Sequence, residues 1–224
     1  MKKIITLLDI PKTFCITLKD TPKRTDYAKN HFIENQLDVE FFNGIDGYKF
    51  GLKTKIPYKD DNPNGPDYFI TSGHIGCILS HYMLWQTLMY LPYEEILILE
   101  DDVILSKNFR QNLSNYKKNL PADWQYVFVG NCCLESEQNH IKIAENIITT
   151  KTAPLCTHAY MVKKSSLPIL LDTNHMAWSH IDIQIQKNSL KKLKYYIFNP
   201  PLAFQKSIDP KYSEDFQSLT RYIS

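Results

Sequence analysis

The chain is short of arginine, of paired cysteines and of long apolar runs, and each shortage removes a class of function. Arg24, Arg110 and Arg221 are its only arginines, and the net charge is +2 over 224 residues. That is too little for a concentrated basic face, so nucleic acid is not an expected partner. The five cysteines (Cys15, Cys77, Cys132, Cys133, Cys156) are odd in number, scattered, and contain no CxxC pair. Zinc and a disulfide framework are therefore not expected, and thiols set among apolar residues point to a reducing compartment. No stretch approaches the roughly 18 apolar residues that a membrane span needs. The opening MKKIITLLDIPK is interrupted by Asp9 and Pro11 and lacks a small-residue cleavage site, which makes it a strand rather than a signal peptide. The expected location is cytoplasmic. The basic run KNSLKKLK at 187–194 reads first as a solvated helix face, with peripheral contact to the inner membrane as its second use.

What the chain does have is a hydrophobic fraction of 43%, enough for a sizeable core in one domain spanning 1–224. Strand patterns at 14–18 (FCITL) and 39–42 (VEFF) flank a helix over 25–35, and NGIDG closes the second strand. This β-α-β opening suits a nucleotide-binding half. Residues 48–71 show no period and carry DDNPNGPD, which predicts a long mobile loop acting as a lid. SGH at 72–74 then opens a helix, with Ile75, Ile78, Leu79, Tyr82, Trp85 and Met89 at helical spacing and Pro92 beyond its end. A polar helix is expected over 107–120, strands at 126–129, 157–162 and 195–198, a short helix at 165–172 and a last one from 180 to about 193. No repeat or low-complexity segment interrupts this α/β alternation.

The most informative stretch is ILILEDDV at 96–103, a hydrophobic strand that runs straight into Glu100, Asp101 and Asp102. Desolvating one unpaired carboxylate costs several kcal/mol, roughly, so something positive must meet these three. The carboxyl ends of strands are where open α/β sheets place ligands, and carboxylate oxygens suit Mg²⁺ or Mn²⁺. A solvated turn is the plainer reading, and the acidic triplet by itself does not separate a transferase from a phosphatase or a nuclease. In SGHIGCILSH, Gly73 and Gly76 lie in the first helical turns, where each costs about 1 kcal/mol. They make sense where backbone or ligand approaches closely, or where Ser72 caps a core helix and Gly76 packs tightly.

Together, FCITLKDTPKR, FFNGIDG, SGHIGCILSHYMLWQ and ILILEDDV resemble glycosyltransferase family 25, which includes bacterial lipooligosaccharide β-galactosyltransferases. CTHAY at 156–160, Ile181-Asp182 and PLAFQ at 201–205 follow in the family's order. The resemblance implies a GT-A-like fold with a mostly parallel central sheet flanked by helices. Residues up to about 103 would form the nucleotide-sugar half and 104–224 the acceptor half. It implies a nucleotide-sugar donor, UDP-galactose first, a glycan or glycolipid acceptor, and Mn²⁺ or Mg²⁺. In this chain Asp102 would bind the metal, and Glu100 or Asp101 would face ribose or sugar hydroxyls. Thr17, Leu18 and Arg24 would line the nucleotide site, with Asn43, Gly44 and Asp46 near base or ribose. Gly73, Ser80 and His81 would reach the donor, and Gln205 the metal or acceptor. The family usually has Glu where this chain has His74.

Family members invert, so a carboxylate base must face the acceptor, and Asp182 is the candidate, with a helix N-cap as its alternative role. Asp172 and Glu135 stand behind it. His158, inside a strand, reads as a packed core histidine. Two rivals remain from sequence: a metal-dependent phosphohydrolase or nuclease, and a non-catalytic sugar-binding relative. Metal-dependent hydrolysis of a UDP-sugar separates the transferase from both.

Overall fold

A computed structural model of the protein describes residues 9–49, 56–58 and 68–206. Its framework is an eight-stranded sheet in the order β2-β1-β5-β10-β7-β11-β9-β8. In chain order these strands are β1 (Lys12–Thr17), β2 (Val39–Asn43), β5 (Glu95–Glu100), β7 (Tyr126–Phe128), β8 (Ile141–Ala144), β9 (Ile147–Thr149), β10 (Ala159–Lys163) and β11 (Tyr195–Phe198). β1 pairs in parallel with β2 and β5, and β11 in parallel with β7. Only β9 and β10 run against the rest, so the sheet is mixed and mostly parallel, as expected.

β5 lies near the middle because every residue in its aliphatic run can be buried. Ile96 and Ile98 enter one hydrophobic cluster while Leu97 and Leu99 enter the other, on the opposite face. The first cluster is covered by α2 (Ser72–Met89) and α4 (Leu167–Thr173), the second by α1 (Pro22–Glu34) and α3 (Phe109–Lys118). α1 starts three residues before the expected position, since Pro22 sits in its first turn with its φ already helical. Within the expected apolar stripe of α2, Trp85 and Ile78 are fully covered but Leu79 faces outward.

Besides β8 and β9, where no strand was expected, three features were not visible in the sequence. β6 (Val103–Leu105) pairs antiparallel with β12 (Ala203–Gln205), which sets Gln205 opposite Val103 at the acidic strand end. The segment read as an aperiodic loop contains β3 (Ile56–Tyr58) and β4 (Tyr68–Ile70), an antiparallel pair that leads into α2. The remainder of the expected lid, 50–55 and 59–67, lies outside the described residues. The last helix is not continuous to 193: α5 (Ile181–Gln184) passes into a π-helical turn over Ile185–Ser189. The turn keeps two polar side chains buried and bonded. Gln184 accepts from the Trp178 and Ser179 amides, and Ser189 bonds Thr173 and Asn174. Beyond it Lys191, Lys192 and Lys194 are exposed while Leu190 and Leu193 are buried, so these lysines are solvated as expected but lie past the helix rather than on a helix face.

Candidate active site

The three carboxylates at the end of β5 meet three different environments. Glu100 Oε1 accepts from the Thr157 hydroxyl at 2.7 Å and lies 3.2 Å from His81 Nε2. Burial alone would raise its pKa, but the His81 and Thr157 contacts outweigh it and hold the carboxyl at about 2. A relay fixes the histidine. Trp85 Nε1 donates to the Tyr160 oxygen at 2.9 Å, and that oxygen lies 2.8 Å from His81 Nδ1. With one hydroxyl proton available, Tyr160 donates to Nδ1, which leaves the proton on Nε2 aimed at Glu100.

Asp101 is held by Arg24 and Thr17. Arg24 Nε donates at 2.9 Å, its Nη2 closer still, and the Thr17 hydroxyl donates at 2.8 Å. Burial pushes this carboxyl up while the guanidinium opposes it, and the donors stabilise the charged form. Asp102 is different. Its Oδ2 accepts from Gln205 Nε2 at 3.2 Å and lies 3.8 Å from Arg24, but its buried Oδ1 has no hydrogen-bond partner among the described residues. Burial, with the charge of Glu100 next, raises its pKa to about 6.

These groups open on a cavity of about 530 Å³ that the N-terminus of α2 also enters. Thr71, not Ser72, caps that helix, and His74 completes a capping box. His74 Nδ1 accepts the Thr71 amide at 3.0 Å, the task a glutamate performs at this position. The departure at His74 therefore preserves the cap while removing a negative charge. Its ring stacks on His180 at 3.9 Å, and burial with that neighbour lowers its pKa to about 4, so it is neutral at pH 7. Gly47 and Gly76 let the 44–47 loop lie on the first turns of the helix. A Cβ on Gly76 would come within 2.6 Å of the Ile45 carbonyl, and one on Gly47 within 1.8 Å of Ser72 O. Ser80 ties the same loop down by accepting the Ile45 amide at 2.8 Å.

Asp182 faces the cavity from the far side. It is not a side-chain cap; His180 holds the N-cap position, and Asp182 accepts the Cys156 amide at 3.1 Å and the Ile183 amide at 2.8 Å. Cys156 has φ of 75° and is joined to Cys132 by a disulfide. This corrects the expectation of unpaired thiols and removes the argument for a reducing compartment. Two cysteines 24 residues apart meet because a bridge between Cys132 and Leu155 aligns their segments.

Of the residues expected at the donor site, Thr17, Leu18, Arg24, Asp46, Gly73, Ser80, His81, Glu100, Asp101 and Asp102 all line this one cavity. Asn43 and Gly44 do not. Asn43 accepts the Lys19 amide, and Gly44 packs against Ser80 and donates to Thr17 O, so both shape the wall from behind. Asp172 is exposed and paired with Lys192, and Glu135 accepts the Thr152 amide; neither lines the cavity. His158 is a core residue, 1% exposed, with Nε2 3.4 Å from the Ala203 carbonyl. Thr157, Cys77 and His180 join the lining without having been singled out. Thr157 stood in the quoted CTHAY run, but its partner Glu100 lies 57 residues away, so nothing local marked it.

A mixed α/β sheet with carboxylates at the end of a central strand, facing a helix N-terminus across one cavity, defines a GT-A-like fold. A solved glycosyltransferase involved in the glycosylation of the major capsid of PBCV-1 shares it, with a TM-score of 0.53 at 11% identity over 92% of this chain and 97% of that one. The model of glycosyltransferase family 25 (LPS biosynthesis protein) matches residues 10–185, and the chain belongs to this family. A glycosyltransferase 25 family member of Aedes aegypti is 26% identical over 74% of this chain. The human procollagen galactosyltransferase 2 is 30% identical over 52% of it. The chain spans only 28% and 20% of those two relatives. Among the described residues no helix is long and apolar enough to cross a membrane.

Proposed function

We propose that the protein is an inverting glycosyltransferase that moves a hexose, galactose from UDP-galactose, onto a lipooligosaccharide or related glycan acceptor with a divalent metal at Asp102. The observation that carries this reading is the bare Asp102 Oδ1, buried beside two further carboxylates in the cavity. A buried carboxylate oxygen without a donor fits a hard cation, Mn²⁺ or Mg²⁺, while the Gln205 amide nitrogen holds the other oxygen of the same carboxylate. When bound, such a cation neutralises the diphosphate that leaves.

The chain's own groups divide the remaining work. Arg24 holds Asp101 and brings positive charge to the nucleotide side of the cavity. Glu100 uses Oε1 for His81 and Thr157, which leaves Oε2 to accept a ribose or sugar hydroxyl. Asp182, with two backbone amides fixing its carboxylate, takes the proton of the acceptor hydroxyl. The half up to about residue 103 then binds donor and the half from 104 on presents the base. The exposed Lys191, Lys192 and Lys194 suit an acceptor anchored in anionic lipid.

The test is turnover of UDP-hexoses in Mn²⁺ and in EDTA, on the parent chain and on Asp182→Asn. Asn preserves a local polar group but cannot accept the proton, so kcat should fall roughly 10²–10⁴-fold with donor Kd unchanged. Turnover equal in Mn²⁺ and EDTA would remove the metal from the scheme. Near-normal kcat in Asp182→Asn would remove the base.

A further inference from the structure

Cys77 and His81 are one helical turn apart on α2, so both project from the same face toward the end of β5. A ligand atom from each of Cys77, His81 and Glu100 lies within 4.8 Å of the other two. All three side chains line the cavity, and His81 is 1% exposed. Sulfur, imidazole nitrogen and one carboxylate oxygen form a donor set that differs in kind from the oxygen surroundings of Asp102. Mg²⁺ favours near-octahedral oxygen ligands, whereas zinc-class ions favour tetrahedral S, N and O sets and tolerate an open fourth position. The lack of a CxxC pair argues only against zinc motifs built from cysteines close in sequence. This set is assembled from a helix and the end of a strand.

We propose that Cys77, His81 and Glu100 form a binding site for a borderline-soft divalent cation of the zinc class, and that its occupation competes with the nucleotide-sugar donor. The surroundings favour a cation. Burial first, then the charges of Glu100, Asp182 and Asp102 against that of Arg24, keep the Cys77 proton in place, and the same net negative surroundings draw a metal ion in. The Cys77 thiol gives its proton to solvent and the thiolate coordinates. His81 remains neutral overall, losing the Nε2 proton and gaining one on Nδ1, which then donates to the Tyr160 oxygen 2.8 Å away. One proton is released per ion. The ion takes up His81 Nε2, the group that otherwise holds Glu100 for a donor hydroxyl, which is why donor and cation exclude each other. Cation binding stands independently of the proposed transferase activity; the competition alone rests on it.

The probe is Cd²⁺, whose bond to thiolate gives an ultraviolet charge-transfer band, titrated into the full chain without reductant. Cys133, the exposed free thiol, is first replaced (Cys133→Ser) so that it cannot supply the band; Cys15 is fully buried. The expected result is a band saturating at one equivalent, unaffected by excess Mg²⁺ and absent in Cys77→Ser. His81→Gln should weaken Cd²⁺ at least roughly tenfold, the lower end of what even outer-shell losses cost. Calorimetry with Zn²⁺ in buffers of different ionisation enthalpy should report one proton released per ion. No band in the Cys133→Ser chain, or a band that survives Cys77→Ser, overturns the site. If Cys77→Ser does not fold, the His81→Gln titration and the proton count decide. UDP with Mn²⁺ should raise the apparent Cd²⁺ Kd, and an unchanged Kd alongside intact Cd²⁺ binding overturns only the competition.

Discussion

A buried carboxylate with one oxygen left without a donor opposes folding when it is charged, and Asp102, whose Oδ1 is bare, is placed that way. Its folded pKa of about 6 lies above its unfolded value, so the native state holds the proton more tightly. Metal-free stability from this group therefore rises as pH falls from 7 toward 5. Glu100 acts in the opposite sense. Its pKa is held down to about 2, so its contribution is present above the unfolded carboxylate range and is lost as pH falls from about 4.5 to 2. Asp102→Asn removes the unfavourable charge and should stabilise the chain in EDTA at pH 7 by about 1–3 kcal/mol. The gain should shrink as pH falls through about 6 and be gone near about pH 4, where the unfolded aspartate protonates as well. Thermal melts of both proteins across this range provide the measurement. An unchanged or lower Tm for Asp102→Asn at pH 7 would mean that the carboxylate is satisfied after all.

At the scale of the element, the N-terminus of α2 explains most of what is unusual in SGHIGCILSH. The glycine cost inside the helix is accepted because Gly76 and Gly47 bring a loop carrying Ile45 and Asp46 against it, and both residues line the cavity. Gly76→Ala puts a methyl group against backbone atoms, which cannot move without shifting that loop. It should cost about 1–3 kcal/mol and weaken donor binding together with stability. Calorimetric Kd for UDP and a melt on the same sample are the readouts; a destabilised variant with normal UDP affinity would separate loop placement from the donor site. The capping box accounts for His74 in the same terms, since its Nδ1 does locally what a glutamate oxygen does. The helix start was legible to within one residue, because Ser72 and Thr71 are both good caps and only the fold shows which hydroxyl meets the His74 amide.

At the scale of the whole molecule, one cross-link joins the two sides of the site. Cys156 lines the cavity, its amide holds Asp182, and the neighbouring Thr157 holds Glu100, while Cys132 follows β7 on the sheet. Closing a loop of this length is worth about 3–4 kcal/mol in the chain-entropy account. Cys132→Ser should lower Tm accordingly and reduce kcat more than donor affinity, because Asp182, the proposed base, loses its anchor while Arg24 and Asp101 keep theirs. Equal losses in kcat and donor affinity would mean that the bridge supports the whole cavity rather than the acceptor side.

The sequence by itself determined the alternation of strands and helices, the buried strand that ends in Glu100, Asp101 and Asp102, and the helix that faces it. These are local patterns: an aliphatic run long enough for a strand, a 3.6-residue period, a capping signal. It also carried the family's motifs in order. Only the tertiary structure decided which carboxylate oxygen is bare. Thr157, Arg24 and Gln205, the donors to Glu100, Asp101 and Asp102, lie 57, 77 and 103 residues away in the chain, and no local pattern assigns one donor to one acid. The three-residue strands β6 and β12 escaped notice for the same reason, being too short to show a period and existing only through each other. The disulfide is a third case, because two cysteines pair when folding sets their Cα atoms 5.7 Å apart, and spacing along the chain does not report that distance.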